Sequence, residues 1–342
     1  MKKSLFVLGV AVAALASCTN EEVTEVAQNR AISFNSFVNN NTKAQSEVTD
    51  GNIGSQFYVI GYYGDAATSM TTPVFTNEIS TAEYFWQASK SYQFAAYSNG
   101  LEVIGTENTV DDSKVKFEPS STDAELTFTS YEAADADLVA AISDVVTTDA
   151  TPTSESPVSL SFKHLLSKVR FTISTEIGTQ FTLKIDNIQF SATKTATGVF
   201  DGTNVAWTAT GADAVYSYGN VENLIGQTDK TIALTNLVIP QSAVGEDAIA
   251  TVTFTATLTG DGITAAEGIT KEFSADLTTP TPSENTWQPG YVYNYTTTLT
   301  LKQFDENLDK LKITFDVEEL PAWQTNDIEI EDNDMTVTTP GA

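Results

Sequence analysis

The sequence holds a single cysteine, Cys18, and a single histidine, His164, among its 342 residues. One cysteine allows no disulfide within the chain and no thiolate metal cluster. Any acid–base or Ser-His-Asp arrangement would have to use His164, which lies between apolar residues of a predicted strand. We therefore interpret His164 as a structural histidine, and we predict that the chain is not an enzyme and needs no cofactor.

Several catalytic and metal-binding motifs are missing as well. The sequence has no G-x-S-x-G, no glycine-rich phosphate loop, no HExxH and no C-x-x-C. Acidic clusters at Asp111-Asp112 and at residues 327–334 lack the D-x-D-x-D-G spacing that fixes calcium ligands, so we interpret them as solvated faces. With 45 acidic residues some carboxylates lie close together by chance, which leaves a surface hydrolase with paired carboxylates as an alternative.

Basic residues are scarce. The chain has 17 Lys and Arg against 45 Asp and Glu, and its formal net charge is −28 at pH 7. A protein that binds nucleic acid needs a basic face to replace the counterions of the phosphate backbone. The composition therefore excludes nucleic acid as a partner, and acidity of this size is typical of an exposed protein that stays soluble.

The apolar run near the start of the chain, residues 5–15, is too short to span a bilayer as a helix. It follows two lysines and precedes small residues, which is the order of a secretory signal. The ending LASC at residues 15–18 resembles a bacterial lipobox. This resemblance implies removal of residues 1–17 as a lipoprotein signal peptide, a lipid on Cys18, and attachment to the outer membrane. The alternative is an ordinary secretory signal with an incidental cysteine.

Short alternating segments fill most of the remaining chain. Val158, Leu160 and Phe162 alternate with polar residues, which is the period of a half-buried strand. A second alternating run follows the residues HLLS at 164–167, so we predict either one long strand with an irregularity or a strand that crosses between domains. Other predicted strands are rich in aromatic residues and lie at residues 56–63, 84–86 and 92–97. No segment of helical period is long enough for a helix, and the predicted fold class is all-β.

The length of the chain predicts two domains. The sequence TTDATPTSESP at residues 147–157 is typical of a linker or a long loop, and we place the domain boundary near it. The prediction is an N-terminal β-sandwich domain at residues 31–157 and a C-terminal β-sandwich domain at residues 158–323. A polar tether at residues 18–30 precedes the first domain, and a tail at residues 324–342 follows the second.

Four segments together resemble one known family. They are FKHLLSKVRF at 162–171, YQFAAY at 92–97, LVIPQ at 237–241 and WQPGYVYNY at 287–295. In this order they resemble the fimbrillin-like (Mfa-like) lipoproteins of Bacteroidetes, the subunits of type V pili. The resemblance implies two tandem transthyretin-like, Greek-key β-sandwich domains. It also implies assembly with other fimbrial subunits into a head-to-tail polymer that supports adhesion.

The resemblance further implies a maturation protease that removes the first strand, so that the C-terminal segment of a neighbouring subunit fills the groove. The removable strand would be residues 32–38, with Ile32 and Phe34 on one face. A cut after Lys43 would release the lipid anchor and the strand together, whereas a cut after Arg30 would release the anchor alone. The family site resembles Thr-Arg-Ala where this chain has Thr-Lys-Ala at residues 42–44, which argues against an arginine-specific protease.

The tail carries the candidate donor strand. Ile328, Ile330, Met335 and Val337 alternate with polar residues, and the parity of the apolar positions shifts at residues 333–334, which indicates a bend or a bulge. The alternative is a last edge strand packed on its own domain.

The main alternative function is a surface-tethered lipoprotein that binds glycans. Trp86, Trp207, Trp287 and Trp323 could stack on sugar rings in such a protein. They lie within apolar alternations, so we predict that they pack in the core.

Overall fold

The computed structural model describes residues 31–38, 57–98, 112–134, 136–150, 156–226, 234–243, 248–265, 267–280, 285–304, 310–312 and 315–320. Within these ranges, helical structure consists of two 3₁₀ helices, Asp112–Lys114 and Leu301–Phe304. A search of the same ranges found no helix with the length and apolar character needed to span a membrane. The predicted all-β fold class is confirmed.

The strands of the described residues are numbered in chain order. They are β1 (Phe34–Val38), β2 (Tyr58–Gly64), β3 (Thr72–Ile79), β4 (Ser91–Ser98), β5 (Val115–Glu118), β6 (Glu125–Glu132), β7 (Val139–Ile142), β8 (Val146–Thr147), β9 (Val158–His164), β10 (Ser167–Glu176), β11 (Gly178–Ala192), β12 (Thr195–Phe200), β13 (Val205–Ala209), β14 (Ala214–Ser217), β15 (Val221–Gly226), β16 (Leu234–Val238), β17 (Ala250–Gly260), β18 (Ile269–Leu277), β19 (Val292–Thr300), β20 (Lys310–Lys312) and β21 (Asp316–Leu320).

Four sheets contain these strands. The first sheet has the order β1-β9-β7-β4-β2-β3, with β8 also paired to β4, and the second has the order β13-β12-β6-β5. The third sheet has the order β16-β10-β19-β21, and the fourth has the order β14-β11-β17-β18-β20, with β15 also paired to β11. Most neighbours are antiparallel, and the pairs β1–β9, β10–β19 and β18–β20 are parallel.

The first sheet is buried on both faces at its strand β4. All of its residues are buried. Ala95 and Tyr97 belong to a large apolar core that also contains side chains from the other three sheets, whereas Phe94 and Ala96 belong to a second core on the opposite face. A strand with two buried faces reads as a continuous apolar run, which explains the segment YQFAAY.

The chain crosses from the first sheet to the third at Leu165-Leu166. Val139 of β7 pairs with His164 at the end of β9, while β10 pairs with β16 and β19. Both leucines are buried, with 1% and 0% of their surface exposed. The HLLS segment thus separates two strands of different sheets and not one long strand, and a crossing between domains stays a prediction.

Strand pairing also crosses the predicted domain boundary at residue 157. β9 lies between β1 and β7 in the first sheet. The hairpin β12–β13 joins the second sheet, where Gly198 pairs with Phe128. Residues from both sides of the boundary therefore build the first two sheets, and the division into two tandem domains stays a prediction.

The predicted strand at residues 84–86 is wrong. Phe85 makes an isolated bridge with Ala31 and is 46% exposed, whereas Trp86 packs in the core and is 1% exposed. The aromatic character of this segment reflects burial of single side chains and not a strand. The predicted strands at 56–63 and 92–97 agree with β2 and β4.

Candidate functional site

In the part of the chain that the structure describes, the strand β1 lies at one end of the first sheet and pairs with one strand. It runs parallel to β9, with Phe34 opposite Val158, and the Val158 amide donates to the Ser33 carbonyl at 2.8 Å. Just before the strand, the Ile32 amide donates to the Tyr84 carbonyl at 2.8 Å. Among the described residues, backbone hydrogen bonds therefore hold β1 to β9 along one side and hold the residues before it to the segment around Tyr84.

The inward face of β1 and the residues before it is apolar. Ile32 is 5% exposed. The ring of Phe34 lies edge-on to the rings of Phe57, Phe75 and Phe94, with centroid separations of 6.0, 5.5 and 5.4 Å. Such edge-to-face pairs add about 0.5–1.5 kcal/mol each beyond the apolar area that they bury. Ile32 and Phe34 pack in the same apolar core, which confirms the prediction that they share one face.

The first sheet curls until its two ends meet. Phe34 belongs to β1 and Phe75 to β3, which stand at opposite ends of the strand order, yet their rings are in contact. The ring of Tyr84 lies 4.5 Å from that of Phe75, and its hydroxyl donates to Glu78 Oε2 at 2.6 Å. This hydrogen bond to a carboxylate raises the pKa of Tyr84. The same bond holds the segment after β3 in place where the two ends of the sheet meet.

We call the apolar bed beneath β1 the front groove and define it as Phe57, Phe75, Phe94, Leu160 and Phe162. Each of these side chains is at most 1% exposed. Burying one large apolar side chain typically stabilises a protein by about 1.5–3 kcal/mol, so loss of β1 would uncover several such groups at once. Exposure of the front groove to water would therefore be unfavourable.

The candidate lipidation, cleavage and donor positions lie outside the described residues. They are Cys18, Arg30, Lys43, Ile328, Ile330, Met335 and Val337. These assignments stay predictions.

His164 belongs to a buried pair. Its Nδ1 lies 2.8 Å from Asp137 Oδ2, and the two side chains are 3% and 0% exposed. The pairing of β7 with β9 brings them together, whereas their separation of 27 residues gave the sequence analysis no signal for Asp137. The contact fits a structural histidine that joins two strands. Among the described residues no group of three or more His, Cys, Asp and Glu is placed to hold a metal ion.

Two of the tryptophans pack in the core, as predicted. Trp86 is 1% exposed and Trp287 is 0% exposed. Trp207 is half-buried, and its Nε1 donates to the Leu165 carbonyl at 2.9 Å. Trp323 lies outside the described residues.

The sequence matches the family model described as fimbrillin-like over residues 16–318. The match covers most of the 342-residue chain. The chain belongs to the fimbrillin-like family. No curated protein matches it. Membership of the fimbrillin-like family supports a fimbrial or adhesion-type role at the cell surface and assembly with other fimbrial subunits.

The fold of this fimbrillin-like protein is similar to that of solved structures from Bacteroides and Parabacteroides. A fimbrial protein from Bacteroides vulgatus aligns with a TM-score of 0.52 and 15% identity, over 85% of this chain and 99% of that chain. A candidate cell adhesion protein from Parabacteroides distasonis aligns with a TM-score of 0.45 and 12% identity, over 86% of this chain and 97% of that chain. The likeness concerns the fold.

Three of the four segments that carried the fimbrillin-like resemblance contact one another, since the segment 237–241 pairs with β10 and accepts a hydrogen bond from Trp287. The Ser167 hydroxyl donates to the Gln288 carbonyl at 2.7 Å, and the Gly290 amide donates to the Leu166 carbonyl at 2.7 Å. The turn before β19 is thereby fastened to the crossing between the first and third sheets. No spacing in the sequence predicted this contact.

Proposed function

We propose that the protein is a structural subunit of a cell-surface fimbria. It is exported as a lipoprotein held on the outer membrane through Cys18, and it polymerises when proteolysis allows another strand to replace β1. The observation that carries the proposal is the edge position of β1 above the front groove. Membership of the fimbrillin-like family supports the fimbrial part of the proposal.

Cleavage after Lys43 would break the covalent link between β1 and β2. While the chain is intact, a displaced β1 remains at high effective concentration near the front groove and rebinds. After the cut, β1 is held by its pairing with β9, by the contact to Tyr84, and by burial of Ile32 and Phe34. These contacts are noncovalent, so a strand that dissociates after the cut diffuses away together with the lipid anchor. A cut after Arg30 leaves β1 attached to β2 and frees the anchor alone.

The tail of a neighbouring subunit supplies the replacement. Ile32 and Phe34 fill the front groove from positions two residues apart, and Ile328 and Ile330 have the same spacing. An extended tail places both isoleucines on one face, where they occupy the positions left by β1. Because donor and acceptor are different surfaces, the contact is heterologous and yields an open polymer.

The test combines limited proteolysis with a synthetic tail. Purified chain is cut with a trypsin-like protease, the cut is located by mass spectrometry, and a peptide of residues 327–342 is added. We expect the fragment that ends at Lys43 to be released and the peptide to bind with one-to-one stoichiometry in native mass spectrometry. The same peptide with Ile328→Asp and Ile330→Asp is the matched control and should not bind. Retention of the cut fragment together with failure of the peptide to bind would contradict the proposal.

A further inference from the structure

A cavity of about 540 Å³ lies where the chain passes from the first sheet to the third. Three segments line it: the end of β9, the turn between β12 and β13, and the turn before β19. Their polar lining residues are Lys163 and His164, Thr203 and Asn204, and Gln288 and Tyr291. The volume lies within the roughly 300–1,000 Å³ of small-molecule sites in proteins. We call this cavity the junction pocket.

The two turns that line the junction pocket are held in place by hydrogen bonds. Asp201 Oδ1 accepts from the amides of Thr203 at 2.8 Å and Asn204 at 2.7 Å. These bonds, that of Asn204 first, hold the pKa of Asp201 below its ordinary value. On the other side, Gly290 has a φ of 78° and donates to the Leu166 carbonyl. Walls that are fixed before binding reduce the entropy lost when a ligand is ordered.

The lining of the junction pocket combines a cation with neutral hydrogen-bonding groups. Lys163 supplies an ammonium group, Thr203 a hydroxyl, and Asn204 and Gln288 two amides. None of the described residues that line the pocket is Asp or Glu, although the whole chain has a net charge of −28. The lining thus offers one cation and no carboxylate, although the Asp201 carboxylate binds the turn between β12 and β13, and this chemistry suits a ligand with both hydroxyl groups and a negative charge.

We propose that the junction pocket binds a sugar that carries a carboxylate, such as a uronic acid. The amides and the hydroxyl can donate to and accept from ring hydroxyls, and the ring of Tyr291 offers apolar surface to a sugar face. Lys163 pairs with the carboxylate through a charge-assisted hydrogen bond. A simple anion would leave the amides unused, and a neutral sugar would leave Lys163 unmatched. The junction pocket shares no residue with the front groove, so this inference does not depend on strand exchange.

The test is isothermal titration calorimetry of the purified full chain at neutral pH and physiological salt. The probes are D-galacturonate, its neutral counterpart D-galactose, and inorganic phosphate. We expect D-galacturonate to bind and both other probes to bind at least about tenfold more weakly, which is the scale of one lost hydrogen bond to a charged group. Lys163→Gln should weaken D-galacturonate binding by a similar factor, and Gln288→Ala should weaken it as well. Lys116→Gln is the matched control, because Lys116 lies on β5 with its side chain 71% exposed, and it should leave binding unchanged.

Three outcomes would overturn the inference. The first is absence of binding to D-galacturonate. The second is binding of phosphate as tight as that of D-galacturonate, which would show a general anion site. The third is D-galacturonate affinity that neither Lys163→Gln nor Gln288→Ala changes. The thermal unfolding of each variant is recorded beside the titration, so that a loss of binding is attributed to the pocket only where the fold is intact.

Discussion

The rings of Phe34 and Phe75 lie edge-on with their centroids 5.5 Å apart, although their strands stand at opposite ends of the first sheet. The contact makes Phe34 the side chain through which the first strand closes the curled sheet. Loss of this side chain should therefore weaken the attachment of β1 and leave the rest of the first sheet formed.

The first prediction compares two phenylalanines of the same strand. Phe34→Ala should lower the free energy of unfolding by about 2–3 kcal/mol, somewhat less than a fully buried site because Phe34 is only partly buried. Phe37 faces outward and is 44% exposed, so Phe37→Ala should change stability by no more than about 0.5 kcal/mol. Urea unfolding followed by fluorescence measures both. Equal effects at the two positions would contradict the orientation of β1, in which Phe34 faces the core and Phe37 faces outward.

The second prediction concerns shared strands. A fragment of residues 31–157 lacks β9, which lies between β1 and β7, and lacks β12, the partner of β6. It should show no cooperative thermal unfolding, since two gaps would expose backbone hydrogen-bonding groups and apolar side chains. A second fragment restores these elements by joining residues 31–164 to residues 195–210 through a flexible linker. It should unfold cooperatively. A cooperative transition in the shorter fragment would mean that the predicted boundary at residue 157 is real.

The third prediction is a pH dependence that originates at Lys168. Burial, with a smaller contribution from Arg170, lowers the pKa of Lys168 to about 7. The unfolded chain therefore binds more protons than the folded chain between that pH and the ordinary lysine pKa, and stability rises with pH across this window. Lys168→Met removes the cost of the buried charge. Its stabilising effect should be larger at pH 6 than at pH 9 by about 3 kcal/mol.

Lys116→Met is the matched control for this measurement. The hydrogen bond from Lys116 to Glu118 raises the pKa of Lys116, so its contribution to stability is constant between pH 6 and pH 9. Urea unfolding of both variants and the parent at the two pH values gives the comparison. A pH-independent effect of Lys168→Met would show that the ammonium group is solvated in the folded protein.

The fourth prediction concerns the hairpin that completes the second sheet. Gly198 lies opposite Trp207, and a Cβ at Gly198 would lie 2.7 Å from the indole ring. Gly198→Ala should displace the ring, weaken its hydrogen bond to the Leu165 carbonyl, and cost about 1–3 kcal/mol. A Cβ at Gly211 would meet its nearest neighbour, Thr195, at 3.7 Å, so Gly211→Ala should be almost neutral. Stability and tryptophan emission measure the difference, and a neutral Gly198→Ala would show that Trp207 is free to move.

Local patterns in the sequence predicted individual strands well where one or both faces are buried. The alternation of Val158, Leu160 and Phe162 matches β9, whose burial follows the same period. β3 escaped prediction because most of its residues are at least partly exposed and it contains Pro73, which suits an edge strand. A short pattern carries information about the two faces of a strand and none about its neighbours.

Pairing between distant strands was the part that the sequence could not supply. The hairpin β12–β13 looks like any other hairpin in the sequence, yet it pairs with β6, more than sixty residues earlier. The same holds for the front groove and the junction pocket, since both collect side chains from three or more distant segments. The inward positions of Ile32 and Phe34 could be predicted, but the rings that receive Phe34 could not.

Parallel alignment of β1 with β9 imposes a direction. A backbone that took over those hydrogen bonds in the same sense would run from the Val158 end of β9 towards its Phe162 end. Subunits joined in this way would all point the same way along a fibre. Such a fibre has a head that differs chemically from its foot, so that a cell could hold one extremity and present the other to its surroundings.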